Sequence, residues 1–438
     1  MRHVRTVVQL LITLLVSFVF TAAQVKDMSN EERNQVESML IKVSSDLPRH
    51  YYDPKLHGVD WQGRVSLARD QIKQEKSLNM AMAHVAAALD SLNDSHTFLI
   101  PPRRPYVLDH GWAIQMIGEK CFVTNVRPNG DADIHGVKPG DQLLAINGYR
   151  IGRDNLRKIE YAFNVLRPLP QLTVTLRDPQ GEERKAVLDA KFRQRVHMQN
   201  LDMNTIQNMQ LDEEEWIGEQ SIRTAEYGDD LLIAKLPSFM FGSGEVDKLI
   251  SMGRKHKALI LDLRQNPGGD VDMLKAVAGR LFDRDIKIYD RVGRDSTKLV
   301  LARSNHRPFD GKLFVLIDSK SASASELLAR IVQLEKRGIV IGDRSSGSVM
   351  EARMYSYSAG LDMLMFYGAS ITDANLLMAD GQSLEHVGVT PDEVSIATAT
   401  DLASGHDPVL AHAAAMAGVG ITPENAGKIF PYEWPRDK

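Results

Sequence analysis

Leu313-Phe314-Val315-Leu316-Ile317-Asp318-Ser319-Lys320-Ser321-Ala322-Ser323-Ala324-Ser325-Glu326 is an apolar run that breaks into small and hydroxylated residues. Five consecutive apolar residues, 313–317, read as a strand buried on both faces. A helical pattern follows over 324–336. The joint between them places a serine in a tight strand-to-helix turn at the end of a sheet. The helix's free N–H groups and positive dipole end favour negative charge beside it. Acyl transfer needs that environment, because its tetrahedral intermediate carries an oxyanion.

The same pattern repeats on either side. Leu231 to Leu236, Ala258 to Leu263 and Ile339 to Ile341 are further continuous apolar runs, with helical patterns at 244–255 and 271–283 between them. Strands alternating with helices predict an α/β core with a mainly parallel sheet. The second of these strands leads into Asp262-Leu263-Arg264-Gln265-Asn266-Pro267-Gly268-Gly269, a Gly-Gly turn. Upstream, residues 28–92 read as helical. Met39, Leu40 and Val43 recur at helical spacing, as do Met80, Met82, Val85, Ala86, Leu89 and Leu92. Pro101-Pro102-Arg103-Arg104-Pro105 forms a stiff linker. Residues 106–190 carry short β-type runs at 112–117, 121–126, 142–146 and 172–177. The expected division is 24–104 helical, 105–190 β-rich, 191–220 a polar connector, 221–400 the α/β core and 401–438 a tail. Within the tail, Pro408 to Ala417 reads as a short helix, and the stretch with Pro423, Pro431 and Pro435 as loosely held.

Composition narrows the function classes. The 438 residues exceed one ordinary domain, and 43% are hydrophobic and 25% charged, as in soluble globular proteins. Net charge is −4 with no long basic block, which gives no electrostatic case for nucleic acid. Residues 1–23 combine a basic start, the apolar run Val7 to Phe20 and the small residues Thr21-Ala22-Ala23. That reads as a secretory signal peptide cut after Ala23, or else as a retained membrane anchor. The run is short of the ~20 residues a span needs, so no stable membrane insertion is expected after cleavage. The expected location is the periplasm or the extracellular space. Cys121 is the single cysteine, which rules out an intrachain disulfide and a cysteine zinc site. There is no His-Glu-x-x-His helix and no Walker loop, so neither a metal nor another cofactor is expected.

Gly136-Val137-Lys138-Pro139-Gly140-Asp141-Gln142-Leu143-Leu144-Ala145-Ile146-Asn147-Gly148 resembles a PDZ domain: a turn, an apolar strand, then a tight Asn-Gly hairpin. The resemblance implies that Gly111, Trp112, Ala113 and Ile114 form the carboxylate-binding loop. A polypeptide C-terminus would add there as a strand, although a β-module with no ligand gives the same sequence signal. Asp262-Leu263-Arg264 with Asn266-Pro267-Gly268-Gly269, followed by Ser321 to Glu326, resembles the C-terminal processing (tail-specific) serine peptidases. That likeness implies a ClpP/crotonase-like core, an N-terminal helical domain, an inserted PDZ domain and a polypeptide substrate. It also implies Ser323 as nucleophile and the N–H groups of Gly269 and Ala324 as the oxyanion hole. Ser321 and Ser325 are expected to cap the helix. A homo-oligomer is compatible with the pattern.

One departure matters. Such peptidases pair the serine with a lysine about 25 residues later, and here Ser348 stands in that place. The segment Asp94-Ser95-His96-Thr97 instead resembles the tricorn-core branch, which uses a serine–histidine pair and a later glutamate. The resemblance implies His96 as general base, oriented by Ser95, with Glu385 acting through Ser95. Glu385 is otherwise an ordinary ion-paired carboxylate, and His96 an ordinary loop histidine. A free histidine titrates near pH 6.5, so activity should fall as pH drops through roughly 6–7. The missing lysine also keeps a second reading open: an inactive peptide- or hydrophobic-ligand-binding protein on the same scaffold.

Overall fold

The structure is a computed structural model that describes residues 27–194, 221–305, 307–360 and 364–434. The expected signal segment and most of the expected connector lie outside the described residues.

The chain opens with helices α1 (Asn30–His50), α2 (Trp61–Gln74) and α3 (Leu78–Asp90). Ser29 starts α1 with a reciprocal capping box to Glu32. The methionine and leucine stripes face inward as their spacing requires: Met39, Leu40, Val43, Val85 and Leu89 are all buried. Strand β1 (Phe98–Ile100) follows at once.

A β-rich module comes next. It contains β2 (Tyr106–Asp109), β3 (Trp112–Ile117), β4 (Lys120–Val126), α4 (Asp131–Ile134), β5 (Gln142–Ile146), β6 (Tyr149–Arg150), α5 (Leu156–Glu160), β7 (Gln171–Arg177), β8 (Glu183–Asp189) and β9 (Lys191–Gln194). The helix α5 continues as a π-helical turn over Tyr161–Leu166. The sheet order is β3-β4-β5-β7-β8, so β3 is an edge strand. Leu143, Val123, Val174 and Leu188 close a separate small core.

The remaining strands are β10 (Arg223–Tyr227), β11 (Leu231–Lys235), β12 (Ala258–Asp262), β13 (Ile286–Gly293), β14 (Thr297–Ala302), β15 (Lys312–Ile317), β16 (Ile339–Gly342), β17 (Met350–Ala359), β18 (Met365–Leu377) and β19 (Glu393–Val394). Helices α6 (Ser243–Gly253), α7 (Val271–Ala278), α8 (Ala324–Leu334), α9 (Ala399–Ser404), α10 (Pro408–Met416) and α11 (Pro423–Gly427) lie among and after them. The main sheet runs β10-β11-β12-β15-β16-β19, parallel from β11 onward. Its apolar runs are continuous because both faces are covered. Leu259, Leu261, Val315 and Ile317 pack under α6, α7 and α8. Ile260, Phe314 and Leu316 face Leu410, Ala413 and Ala414 of α10.

Two features depart from expectation. A second sheet, antiparallel, joins β1, β18, β13 and β14, with β17 on β18. The helical layer packs against it through Leu99, Ala369 and Ile371. The C-terminal region is also more ordered than its prolines suggest. Ile421 and Ala426 are buried on the main sheet, and Arg264, at the end of β12, forks onto Asp262 and Asp407 at 2.7–2.9 Å.

Candidate active site

Ser323 is the N-cap of α8, with φ +54 and ψ −116. A non-glycine residue at positive φ stores strain of about 1–3 kcal/mol and persists only where its surroundings enforce it. Here they do. The Ser323 N–H is held by Ser348 O and Glu326 Oε2, both at 3.0 Å. Asn266 O accepts from Ala322 N and Ser325 Oγ on either side, again at 3.0 Å. Gly268 lies directly alongside, where a Cβ would fall 2.7 Å from Ser323 Cβ. The glycine is therefore required by close approach as well as by its φ of +98. Among the described residues, the N–H groups of Gly269 and Ala324 donate to no protein acceptor. Ser321 and Ser325 do not cap the helix as expected. Their hydroxyls donate to Leu263 O and Asn266 O, pinning the serine turn to the Gly-Gly turn.

Glu326 stands one turn into α8 and is fully buried. Its carboxyl accepts from Ser345 Oγ, Gly347 N, Ser348 N and Ser323 N at 2.6–3.0 Å. Burial pushes its pKa up to about 7 against the pull of those four donors. The Ser-x-x-Glu spacing from Ser323 to Glu326 is a capping-box signature, and it was the available sequence signal for this residue.

Ser95, His96 and Glu385 form one hydrogen-bonded row. Ser95 Oγ lies 2.7 Å from His96 Nδ1 and donates to Glu385 Oε2 at 2.9 Å. Ser95 N donates to Glu385 Oε1 at 2.8 Å, and Val349 N to Glu385 Oε2 at 2.8 Å. A hydroxyl has one proton, and this one goes to the carboxylate. Ser95 Oγ must then accept from Nδ1–H, which fixes the tautomer and leaves the lone pair on Nε2. Asp94 pins the loop: its Oδ1 accepts from His96 N and Thr372 Oγ1, its Oδ2 from Tyr51 OH.

No hydrogen bond joins His96 to the Ser323 hydroxyl. The two are linked through the backbone instead, since Ser323 N bonds Ser348 O and the adjacent Val349 N bonds Glu385. Catalytic hydrogen bonds in unliganded sites are commonly long and tighten only with substrate. Ser348, in the lysine's expected place, accepts from Arg157 Nη1 at 2.6 Å. The other arm of Arg157, which belongs to α5, donates to Ser95 O at 2.7 Å. Nothing in the sequence marked this residue. His96 is half-buried, and burial together with the Arg157 charge pushes its pKa down to about 4. The expectation of an ordinary histidine pKa is corrected accordingly.

In the β-rich module, Gly111 adopts φ +72 and its N–H is already taken by Asp109 Oδ1 at 2.9 Å. Trp112, Ala113 and Ile114 begin β3. The far end of β3 meets the serine loop, where Gln115 donates to Asp318 at 2.7 Å and Ser319 to Met116 O at 2.5 Å. Cys121 is buried on β4, with its thiol pushed up to about 12 by burial.

Comparison with known proteins bears on the family and the fold. The model of peptidase family S41 matches residues 230–395, and that of the PDZ domain matches residues 109–177. A tail-specific protease of Haemophilus influenzae is 32% identical over 173 residues, 38% of this chain and 24% of that protein. A chloroplastic C-terminal processing peptidase of Tetradesmus obliquus is 24% identical over 364 residues, 78% of this chain and 74% of that one. Among solved structures, mature CPAF complexed with lactacystin superposes with a TM-score of 0.63 at 14% identity, covering 85% of this chain and 95% of that one. The photosystem II D1 C-terminal processing protease gives 0.50 at 18% identity, covering 82% and 93%. The structural likeness speaks to the fold, and the family models to descent. The serine-bearing α/β core, residues 230–395, is thus similar to peptidase family S41, and residues 109–177 are similar to a PDZ domain.

Proposed function

We propose that the protein is an exported serine peptidase that hydrolyses peptide bonds in polypeptides, with Ser323 as nucleophile and His96 as general base. The observation that carries this reading is the Ser95–His96–Glu385 row, which fixes the His96 tautomer and is tied through Val349 and Ser348 to the strained Ser323. Ser323 Oγ attacks the scissile carbonyl carbon and its proton passes to His96 Nε2. The N–H groups of Gly269 and Ala324 hold the oxyanion. Collapse expels the amine, which takes the proton from His96 and leaves an acyl-enzyme. Water then attacks the ester, His96 takes its proton and returns it to Ser323, and the carboxylic acid product departs. Glu385 positions the imidazole through Ser95. The C-terminus of the substrate docks along β3 at Gly111 to Ile114, and residues 1–23 direct export to the periplasm or the extracellular space.

Labelling by a fluorophosphonate probe tests the core of this proposal. The wild type should label, while Ser323→Ala and His96→Ala should not. Equal labelling of Ser323→Ala would remove the nucleophile assignment, and no labelling of a folded wild type would favour the inactive binding protein.

A further inference from the structure

The groove beside β3 is lined in part by an element far away in the sequence. Trp112 and Ile114 of β3 form one wall, and Ile159 of α5 and Phe163 of the π-helical turn form the opposite wall. A cavity of about 280 Å³ lies between them. Tyr432 and Trp434, from the segment after α11, line that same cavity. Three contacts seat this segment. The Arg127 guanidinium lies over the Trp434 ring at 4.8 Å, a cation–π contact. Tyr432 and Trp434 meet edge-on at 4.9 Å. Glu433 accepts from Arg223 at 2.8 Å. Arg127 is itself fixed at the start of β3, with its N–H on Gly111 O at 2.8 Å and its guanidinium on Asp109 at 2.9 Å. Trp434 is therefore linked to the Gly111 turn through Arg127. It lines the cavity together with Tyr432.

We infer that Tyr432 and Trp434 are specificity-determining residues, which turn an open strand groove into a closed pocket for the C-terminal side chain of a bound polypeptide. The inference rests on the proposal that a peptide adds to β3. A strand pairing antiparallel to β3 with its carboxylate at Gly111 brings its last side chain beneath Trp434. Trp112, Ile114, Ile159 and Phe163 line the cavity beside the charged Asp109, Glu160 and Lys320, and the pocket we infer takes a large apolar C-terminal side chain against the four apolar ones. The rest of the peptide then runs along β3 towards Gln115 and Met116, the end that bonds the serine loop.

The test uses the full chain carrying Ser323→Ala, which keeps the peptide intact, with and without Tyr432→Ala/Trp434→Ala. The probes are fluorescein-labelled decapeptides ending in free phenylalanine or free alanine, read by fluorescence anisotropy. With the aromatic pair present, the phenylalanine peptide should bind about tenfold more tightly than the alanine peptide. Without the pair, its affinity should fall about tenfold and the preference should vanish, as for a buried aromatic anchor. Both residues retain solvent exposure, so the melting temperature should not move. Unchanged or tighter binding in the double variant would overturn the inference, making the segment a bystander or a plug. Absence of binding by either protein also overturns it, while fluorophosphonate labelling of Ser323 in the wild type reports on the peptidase proposal separately.

Discussion

Arg157→Met tests the proposed base through its charge. His96 titrates at about 4, held down first by burial and then by the Arg157 guanidinium. The base must be neutral to accept the Ser323 proton, so the acid limb of kcat/KM should lie near pH 4. At pH 5 an ordinary histidine would be only about 3% neutral, whereas one titrating near 4 is roughly 90% neutral, about a thirtyfold difference in active enzyme. The sign for stability follows from the same shift. The folded value lies below the unfolded one, so the unfolded chain takes up the proton first. Stability is therefore lost as pH falls from about 6.5 to about 4, by at most roughly 3 kcal/mol. Methionine keeps an unbranched apolar stem and removes the charge, so the acid limb should move up in pH. It also removes the bonds to Ser95 O and Ser348 Oγ, which should lower the plateau. The assay is kcat/KM for a fluorogenic peptide from pH 3.5 to 8, with fluorophosphonate labelling rates as a check independent of substrate. A wild-type acid limb at pH 6–7, or a limb in Arg157→Met that stays put or moves down, would refute the reasoning.

Gly268→Ala should cost roughly 2–4 kcal/mol and slow labelling of Ser323, because the new methyl meets Ser323 Cβ and the backbone favours glycine; melting and labelling rates check both. Glu326→Ala leaves four donors around α8 without their acceptor. It should destabilise by about 2–5 kcal/mol in denaturant melts and depress labelling in parallel.

The parts of the fold that were legible in the sequence are those whose residues declare their environment locally. Val315 and Ile260 sit in uninterrupted apolar runs because each strand is covered on both faces, and the parallel sheet follows. Strand β18 could not be read in this way. Its stretch Ser370-Ile371-Thr372-Asp373-Ala374-Asn375 mixes polar and apolar residues, since its pairings with β1, β13 and β17 serve different surroundings. The site divides similarly. The serine turn and the Gly268-Gly269 turn announce themselves through turn chemistry, while family resemblance singled out Ser323 and Gly269 within them. Arg157 does not, because its contacts are with residues 62 and 191 positions away. The depressed His96 pKa was equally unreadable, since burial and a remote guanidinium create it. Family resemblance suggested the Ser95–His96–Glu385 grouping, and the hydrogen-bonded row supplies its physical reason.

The bond between Ser95 and Glu385 spans 290 positions of chain. A nascent or partly unfolded polypeptide would hold the Ser95 hydroxyl early and the carboxylate proposed to align it very late, with almost the entire molecule between them. Reactivity assembled this way switches on only when folding is complete.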